Sequence, residues 1–171
     1  MAIRKILTEP NNTLRQVSQP VDRVTKEEQI LMRDMLETMY KANGIGLAAI
    51  QIGIPKRIIV MDISKNDQEK KPMYFVNPVI KIKNKEFSTY EEGCLSVPGQ
   101  FAEIDRPDKC HVKYMDYYGE TKFVEAEGLL ATCIQHEIDH LEGILFIDYL
   151  SKLKKAMIVK KLSKQKKELE R

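Results

Sequence analysis

The chain has 171 residues, of which 43% are apolar and 31% are charged, and its formal net charge is +3. These values are typical of one globular domain spanning residues 1–171, and they give no indication that the whole chain binds nucleic acid. The three cysteines lack the spacing of a disulfide framework, and neither a secretory signal nor a membrane-spanning apolar run is visible. We therefore expect a cytoplasmic protein.

The first predicted helix begins after Thr25. Thr25 and Glu28 have the spacing of a capping box, and Asn43-Gly44 is typical of a helix end. Between them, apolar residues recur at helical spacing: Leu31, Met32, Met35, Leu36 and Met39. We interpret this methionine-rich stripe as part of the core.

Residues 44–53 form an apolar, glycine-rich stretch with one polar side chain, Gln51. The stretch lacks the third glycine of a dinucleotide-binding fingerprint and the Gly-Lys-Ser/Thr of a P-loop. Two interpretations remain open from these residues. Either the stretch is a tight loop into a buried strand, with Gln51 bonded to nearby backbone, or Gln51 has a functional role.

Strands are predicted at residues 57–63, 74–82 and 85–90, the last two joined by a turn near Lys83-Asn84. Residues 64–72 are polar and predict a solvated loop, and a hairpin is predicted from His111 to Val124. Strands that flank a few helices without regular alternation indicate an α+β domain. We expect antiparallel strands packed around a central metal-binding helix, with further helices towards the N-terminus and the C-terminus.

The chemistry is predicted to centre on Gln135–His140. His136 and His140 are four residues apart on a predicted helix, so their imidazoles lie about one turn apart on one face and can bind one metal ion. Glu137 follows the first histidine, where its carboxylate can accept a proton from water without being a ligand. This motif is short enough to occur by chance, so a third ligand is required.

Two cysteines compete to be that third ligand. Cys133 shares the predicted helix, but it is separated from His140 by about 10.5 Å of helix rise. Metal–ligand bonds of roughly 2.0–2.3 Å cannot gather Cys133 and both histidines around one ion. Cys110 lies in a strand-like stretch and is predicted to pack in the core. Cys94, which follows a glycine between predicted strands, therefore remains as the thiolate ligand, and three ligands leave a position for water.

At this point three stretches together resemble the signature motifs of the peptide deformylase family. They are Gly44-Ile45-Gly46-Leu47-Ala48-Ala49-Ile50-Gln51, Glu92-Gly93-Cys94-Leu95-Ser96 and Gln135-His136-Glu137-Ile138-Asp139-His140. The stretches occur in the family's order, and the resemblance covers essentially the whole chain. It implies an enzyme that removes the formyl group from the N-terminal formylmethionine of nascent polypeptides and releases formate.

The resemblance also implies a role for each matching residue. The implied metal ligands are Cys94, His136 and His140. Glu137 is implied as the general acid and base, and Gln51 and the backbone N–H of Leu95 as donors to the formyl oxygen. The family implies one Fe²⁺ per chain, with Zn²⁺, Ni²⁺ or Co²⁺ as substitutes, whereas the donor set alone favours zinc.

Substrate contacts are predicted less directly. The peptide is expected to pair as a strand with backbone near Gly44, Ile45 and Gly46. The methionine side chain is expected in an apolar pocket formed by Ile45, Leu129 and Cys133, with Thr132 at its rim. Three further residues are of interest: Glu92 as a partner of Arg106, Asp139 as an orienting or a solvated acid, and Phe101, where many relatives carry Arg or Tyr.

A lysine-rich segment from about residue 150 closes the chain and predicts a basic C-terminal helix. It is either a solvated face or a surface attracted to the ribosome. Two other functions were weighed. A zinc endopeptidase shares the His-Glu-x-x-His pattern, but the usual downstream ligand is missing. A metal-stabilised RNA-binding module would need a closed, four-coordinate site. No membrane contact and no specific DNA binding are expected.

Overall fold

The structure is a computed structural model that describes residues 2–170, so Met1 and Arg171, the ends of the predicted domain, lie outside it. Within that range the α-helices are Lys26–Lys41 (α1), Gly128–Leu141 (α2) and Lys152–Leu169 (α3). The strands are Gly46–Ala48 (β1), Ile58–Met61 (β2), Met73–Lys83 (β3), Phe87–Cys94 (β4), Val97–Pro107 (β5), Lys109–Met115 (β6) and Thr121–Glu127 (β7). The predicted α+β class is confirmed.

The strands form two antiparallel sheets. The larger has the order β1-β2-β3-β6-β7, which leaves β1 at an edge, and β4 pairs with β5 in a separate two-stranded sheet. The strand β2 shows why two helices enclose the larger sheet. Its side chains alternate, so Ile58 and Val60 pack with α1 whereas Ile59 and Met61 pack with α2. The helix α2 therefore lies centrally, as expected.

The helix α1 forms as predicted. The side chain of Thr25 accepts a hydrogen bond from the first turn, and Glu28 accepts one from the Thr25 backbone N–H at 2.9 Å, which completes the capping box. The methionine stripe is core, because Met32, Met35 and Met39 are fully buried. Residues 64–72 are mostly exposed, as expected of a solvated loop.

The strands predicted at residues 74–82 and 85–90 are confirmed as β3 and β4, but two features of the sheets differ from what the sequence predicts. The predicted neighbours at residues 74–82 and 85–90 do not pair with each other, because β3 pairs with β6 and β4 pairs with β5. The strand β5 was not predicted at all. Its residues include Pro98, Gly99 and three charged side chains, so it lacks the continuous apolar or β-branched pattern that indicates a strand. The hairpin of β6 and β7 is confirmed.

The helix α3 is only partly docked. Leu162 is buried and packs in a cluster with Leu145, Phe146 and Ile147. Leu153 and Met157 lie on the same helix but are exposed to 72% and 62%. Across the described range no helix combines the length and the apolar character needed to cross a membrane.

The cap of α1 predicts a loss of stability at low pH. Burial opposes ionisation, but hydrogen bonds from Thr25 and from Lys56 lower the pKa of Glu28 from 4.5 to about 2. A carboxyl whose pKa is lower in the folded state stabilises the fold above its unfolded pKa, and this contribution is lost as pH falls through the folded pKa. The variant Glu28→Gln should therefore lose less unfolding free energy than the wild type between pH 4.5 and about 2. Urea unfolding at several pH values measures this difference, and parallel curves for both proteins would contradict it.

Candidate metal centre and active site

The helix α2 carries two imidazoles and a carboxylate into the interior. His140 is fully buried and Glu137 is 3% exposed, and the histidine rings lie with centroids 5.1 Å apart. The chain turns sharply after the helix at Gly143, which has φ 75°. A Cβ on Gly143 would lie 2.4 Å from the carbonyl oxygen of Arg15, so only glycine permits this close approach.

The strand β4 brings Cys94 to the same place. The register of β4 and β5 shifts between Glu92 and Cys94, just before the two strands are joined. The Sγ of Cys94 lies 3.3 Å from Nε2 of His140. One donor atom from each of Cys94, His136 and His140 lies within 4.8 Å of the others, so these three side chains can hold one metal ion.

The chemistry of these donors fits a transition metal. A thiolate and two imidazoles are ligands preferred by zinc and iron, and three protein ligands leave a position open. The ring of His136 is oriented for this role, because its Nδ1 lies 2.8 Å from Oε1 of Glu92. A histidine that donates one N–H to a carboxylate presents its other nitrogen to the metal. Cys133 remains on α2 outside the cluster, and burial raises the pKa of its thiol to about 12.

A buried ion-pair chain supports His136. Arg106 donates to both oxygens of Glu92, at 2.7 and 2.9 Å, and to Asp139 at 2.8 Å. The hydroxyl of Tyr149 also donates to Asp139, at 2.7 Å. The pairing of Glu92 with Arg106 is confirmed, and Asp139 orients neighbouring groups rather than facing water alone.

Glu137 is buried beside the three donors. Its Oε1 lies 3.8 Å from Nε2 of His140 and has no hydrogen-bond partner among the described residues. Burial raises the pKa of the Glu137 carboxyl to about 7 in the absence of a cation. A carboxylate with a free oxygen beside three converging donors can accept a proton from a molecule bound there.

The side chain of Gln51 also extends to the centre. It lies in a short 3-10 helix after β1, where its Oε1 accepts a hydrogen bond from the backbone N–H of Ala48 at 2.9 Å. That bond directs Nε2 towards Ser96 Oγ, at 3.0 Å, and towards Cys94 Sγ, at 3.6 Å. The bond from Gln51 to nearby backbone is confirmed, whereas a functional role for the end that faces the centre stays a prediction.

Two glycines allow the three motif stretches to approach each other. A Cβ on Gly44 would lie 2.6 Å from Cδ1 of Leu95, and one on Gly46 would lie 2.6 Å from Oε2 of Glu137. The backbone before and within β1 thus packs directly on the segment that follows Cys94 and on the carboxylate of α2.

A cleft of about 510 Å³ opens beside the centre. Every predicted substrate-contact residue lines it: Gly44, Ile45, Gly46, Leu129, Thr132 and Cys133. Gln51, Leu95 and Phe101 line it as well, whereas His140 lies behind it. The sequence analysis did not identify Ser96 or Tyr149. No signal in the sequence distinguishes Tyr149 from other surface tyrosines, and only its position beside Asp139 reveals it.

Comparison with known proteins identifies the family of the chain. The profile of the family described as polypeptide deformylase matches residues 3–156. A peptide deformylase of Pelagibacter ubique is 69% identical over 166 residues, covering 97% of this chain and 96% of the relative. That of Maricaulis maris is 57% identical over 171 residues, covering 100% of this chain and 98% of the relative.

Solved structures give the same result. A crystal structure of peptide deformylase from Ehrlichia chaffeensis, in complex with actinonin, superposes with a TM-score of 0.92 at 41% identity, covering 96% of this chain and 98% of that one. A peptide deformylase of Plasmodium falciparum gives a TM-score of 0.88 at 33% identity, covering 97% of each chain. The chain therefore belongs to the polypeptide deformylase family, the metal-dependent hydrolases that remove N-terminal formyl groups.

Proposed function

We propose that Cys94, His136 and His140 bind the catalytic metal ion of this deformylase, with Glu137 as general acid and base. The observation that carries this proposal is the convergence of a thiol from β4 and two imidazoles from α2 within 4.8 Å, beside a buried carboxylate. The substrate is the formylmethionyl end of a nascent polypeptide, and the product is formate.

The metal is proposed to be one Fe²⁺ per chain, with Zn²⁺, Ni²⁺ or Co²⁺ as functional substitutes. Thiolate and imidazole donors suit each of these ions, and the preference for Fe²⁺ comes from the family. When bound, the ion acts as a Lewis acid that polarises the formyl group and increases the acidity of the attacking water.

Glu137 moves the protons of the reaction. Its free Oε1 accepts a proton as water attacks the formyl carbon. The same carboxyl then protonates the amine nitrogen as the carbon–nitrogen bond breaks, so that the peptide leaves as an amine rather than as an anion. Its buried position near the metal ligands keeps this carboxyl within reach of both atoms.

Gln51 and Leu95 are proposed to stabilise the formyl oxygen as it becomes negative. The Nε2 of Gln51 has two hydrogens, and Ser96 accepts only one of them. The other is directed towards Cys94 and hence towards the centre. Leu95 follows Cys94 in the turn between β4 and β5 and lines the cleft, so its backbone N–H is the second proposed donor.

Replacing Gln51 with glutamate tests this donor. The variant keeps the acceptor for the Ala48 N–H but presents a negative charge to the developing oxyanion, so kcat should fall about 10²–10³-fold. The control is Ser96→Ala, which removes a hydrogen bond to the same nitrogen and should cost less than about tenfold. Equal losses in both variants would show that Gln51 acts only through packing.

The substrate is proposed to bind as an added strand. The strand β1 is at the edge of its sheet, and Gly44, Ile45 and Gly46 line the cleft on that side. The methionine side chain then enters the apolar part of the cleft formed by Ile45, Leu129 and Cys133. This binding mode places the formyl group next to the three converging donors.

Two peptide substrates, one formylated and one unformylated, distinguish the proposed activity from that of an endopeptidase. The chain should release formate from a formylmethionyl peptide and leave the internal bonds of the unformylated peptide intact. Mass spectrometry of both peptides after incubation measures the two reactions. Internal cleavage without formate release would contradict the proposed function.

The third ligand can be tested by exchanging each cysteine. The variant Cys94→Ser should lower the amount of metal that the purified protein retains, because a hydroxyl replaces a thiolate. The control Cys133→Ser changes the same atoms outside the donor cluster and should retain metal as the wild type does. Loss of metal in Cys133→Ser alone would transfer the ligand role to that residue.

We also propose that residues 1–171 form one catalytic domain whose basic helix α3 contacts the ribosome, which would place the enzyme in the cytoplasm. Exposed lysines along α3, such as Lys160, Lys164 and Lys167, support electrostatic attraction to RNA. Reversing these three charges should weaken salt-sensitive binding to ribosomes. Substitution is preferable to deletion because Leu162 is buried. Binding that is insensitive to salt and to these changes would contradict the proposal.

A further inference from the structure

A second groove, of about 430 Å³, lies between β5 and α3. Its floor is apolar and is formed mainly by Phe101, Leu150, Met157 and Ile158. Phe101 and Met157 are exposed to 64% and 62%, and because they line one groove they form part of an exposed apolar patch, a feature that marks binding surfaces. We name this surface the β5–α3 groove.

The β5–α3 groove is continuous with the active-site cleft. Gln100 and Phe101 line both. The ring of Phe101 packs over Gly93, where a Cβ would lie 2.6 Å from Cε1 of the ring. Because Gly93 precedes Cys94, Phe101 connects the groove to the segment that carries the thiol. A peptide that extends from the cleft past Phe101 would therefore reach residues that line the groove.

The charges around the groove indicate what it accepts. Lys154 and Lys161 lie on its α3 side, and Glu103 lies on its β5 side. All three side chains are exposed, so the rim is polar with an excess of one positive charge over an apolar floor. Such a surface favours an extended segment that places apolar side chains on the floor and acidic side chains near the lysines.

We propose that the β5–α3 groove binds the part of the nascent chain that follows the residues held in the active-site cleft, with a preference for apolar and acidic side chains. This inference rests on the proposed function, because the occupant is the same polypeptide whose formyl group is removed. An extended chain advances about 3.3 Å per residue, so each added residue extends the substrate further along the groove. Longer substrates therefore gain contacts that a tripeptide lacks.

The test compares three peptides that share the same formylated N-terminal sequence. One is formyl-Met-Ala-Ala, and the others extend it with -Leu-Asp-Leu-Asp- or with -Ser-Lys-Ser-Lys-. We expect the Leu-Asp tail to raise kcat/KM about tenfold over the tripeptide, which is the effect of burying about one leucine side chain after the cost of ordering the tail. The Ser-Lys tail should give no such gain.

Two matched pairs of variants locate the effect. Met157→Glu places a charge on the groove floor, whereas Leu153→Glu makes the same type of change on the same helix outside the groove. Lys161→Glu reverses a rim charge, and Lys166→Glu is its counterpart on the same helix outside the groove. The gain from the Leu-Asp tail should disappear in Met157→Glu, fall in Lys161→Glu and persist in both controls.

The outcomes distinguish failure of the groove proposal from failure of the proposed function. Absence of formate from the tripeptide overturns the function, and the groove with it. Normal release from the tripeptide with equal kcat/KM for both tails overturns only the groove. If the tails have no effect and Met157→Glu instead changes self-association in sedimentation, the surface is an interface between copies and the proposal is wrong.

Discussion

Replacing Glu137 with glutamine should lower kcat for formate release about 10²–10⁴-fold, the range typical of losing a general acid–base group. The amide keeps the size of the side chain but can neither take a proton from water nor return one to the amine. The metal ligands are not changed, so the variant should retain metal as the wild type does. Steady-state kinetics and metal analysis of the same preparation measure both quantities.

The control for this change is Glu142→Gln. Glu142 follows the end of α2 and pairs with Arg57 at 2.6 Å, near the surface and outside the cleft. Loss of such an exposed pair costs about 0–1 kcal/mol of stability and should leave kcat unchanged. A Glu137→Gln variant with wild-type kcat would exclude Glu137 as the proton carrier.

Arg106→Met should destabilise the fold by about 3–5 kcal/mol, because it leaves buried carboxylates without their cation. Although burial opposes ionisation, the bonds from His136 and Arg106 hold the pKa of Glu92 below its ordinary value. Glu92 and Arg106 are only 6% and 4% exposed, so water cannot replace the lost contacts. Glu92 also fixes His136, so metal affinity should fall about 10–100-fold.

The control for Arg106→Met is Lys109→Met. Lys109 and Glu127 approach to 3.9 Å with side chains that are 59% and 76% exposed, so removing this pair should cost less than about 1 kcal/mol. Urea unfolding at one fixed metal concentration compares the two variants, since bound metal adds to stability. Equal losses would mean that the Glu92–Arg106–Asp139 chain does not carry the stability assigned to it.

The two histidines of the candidate metal centre were predictable because their signals are local, whereas Cys94 was reached by elimination and through the family resemblance. The spacing of His136 and His140 determines that both rings lie on one face of a helix, and the rise per residue removes Cys133 as a shared ligand. Those rules need no tertiary structure. The capping box at Thr25 is local in the same way, and both features occur where the sequence analysis expected them.

The sheet pairing was not predictable in the same way. The strands β3 and β4 adjoin in sequence and are joined at a turn, which is typical of a hairpin, yet they belong to different sheets. Contacts distant in sequence decide the position of β3, because its Phe75 packs in the core cluster with α2, whereas β4 continues through a short turn into its partner β5. The role of Tyr149 was hidden for a similar reason, because its partner Asp139 is brought to it only by the fold.

The most direct test of this account measures formate release and bound metal on the same anaerobically purified sample. The chain should carry about one Fe²⁺, and the rate on a formylmethionyl peptide should rise and fall in proportion to bound metal as the ion is removed by a chelator and restored. Proportional recovery with Fe²⁺, and absence of recovery in Cys94→Ser, is the predicted result. Formate release that persists after the metal has been removed would contradict the account.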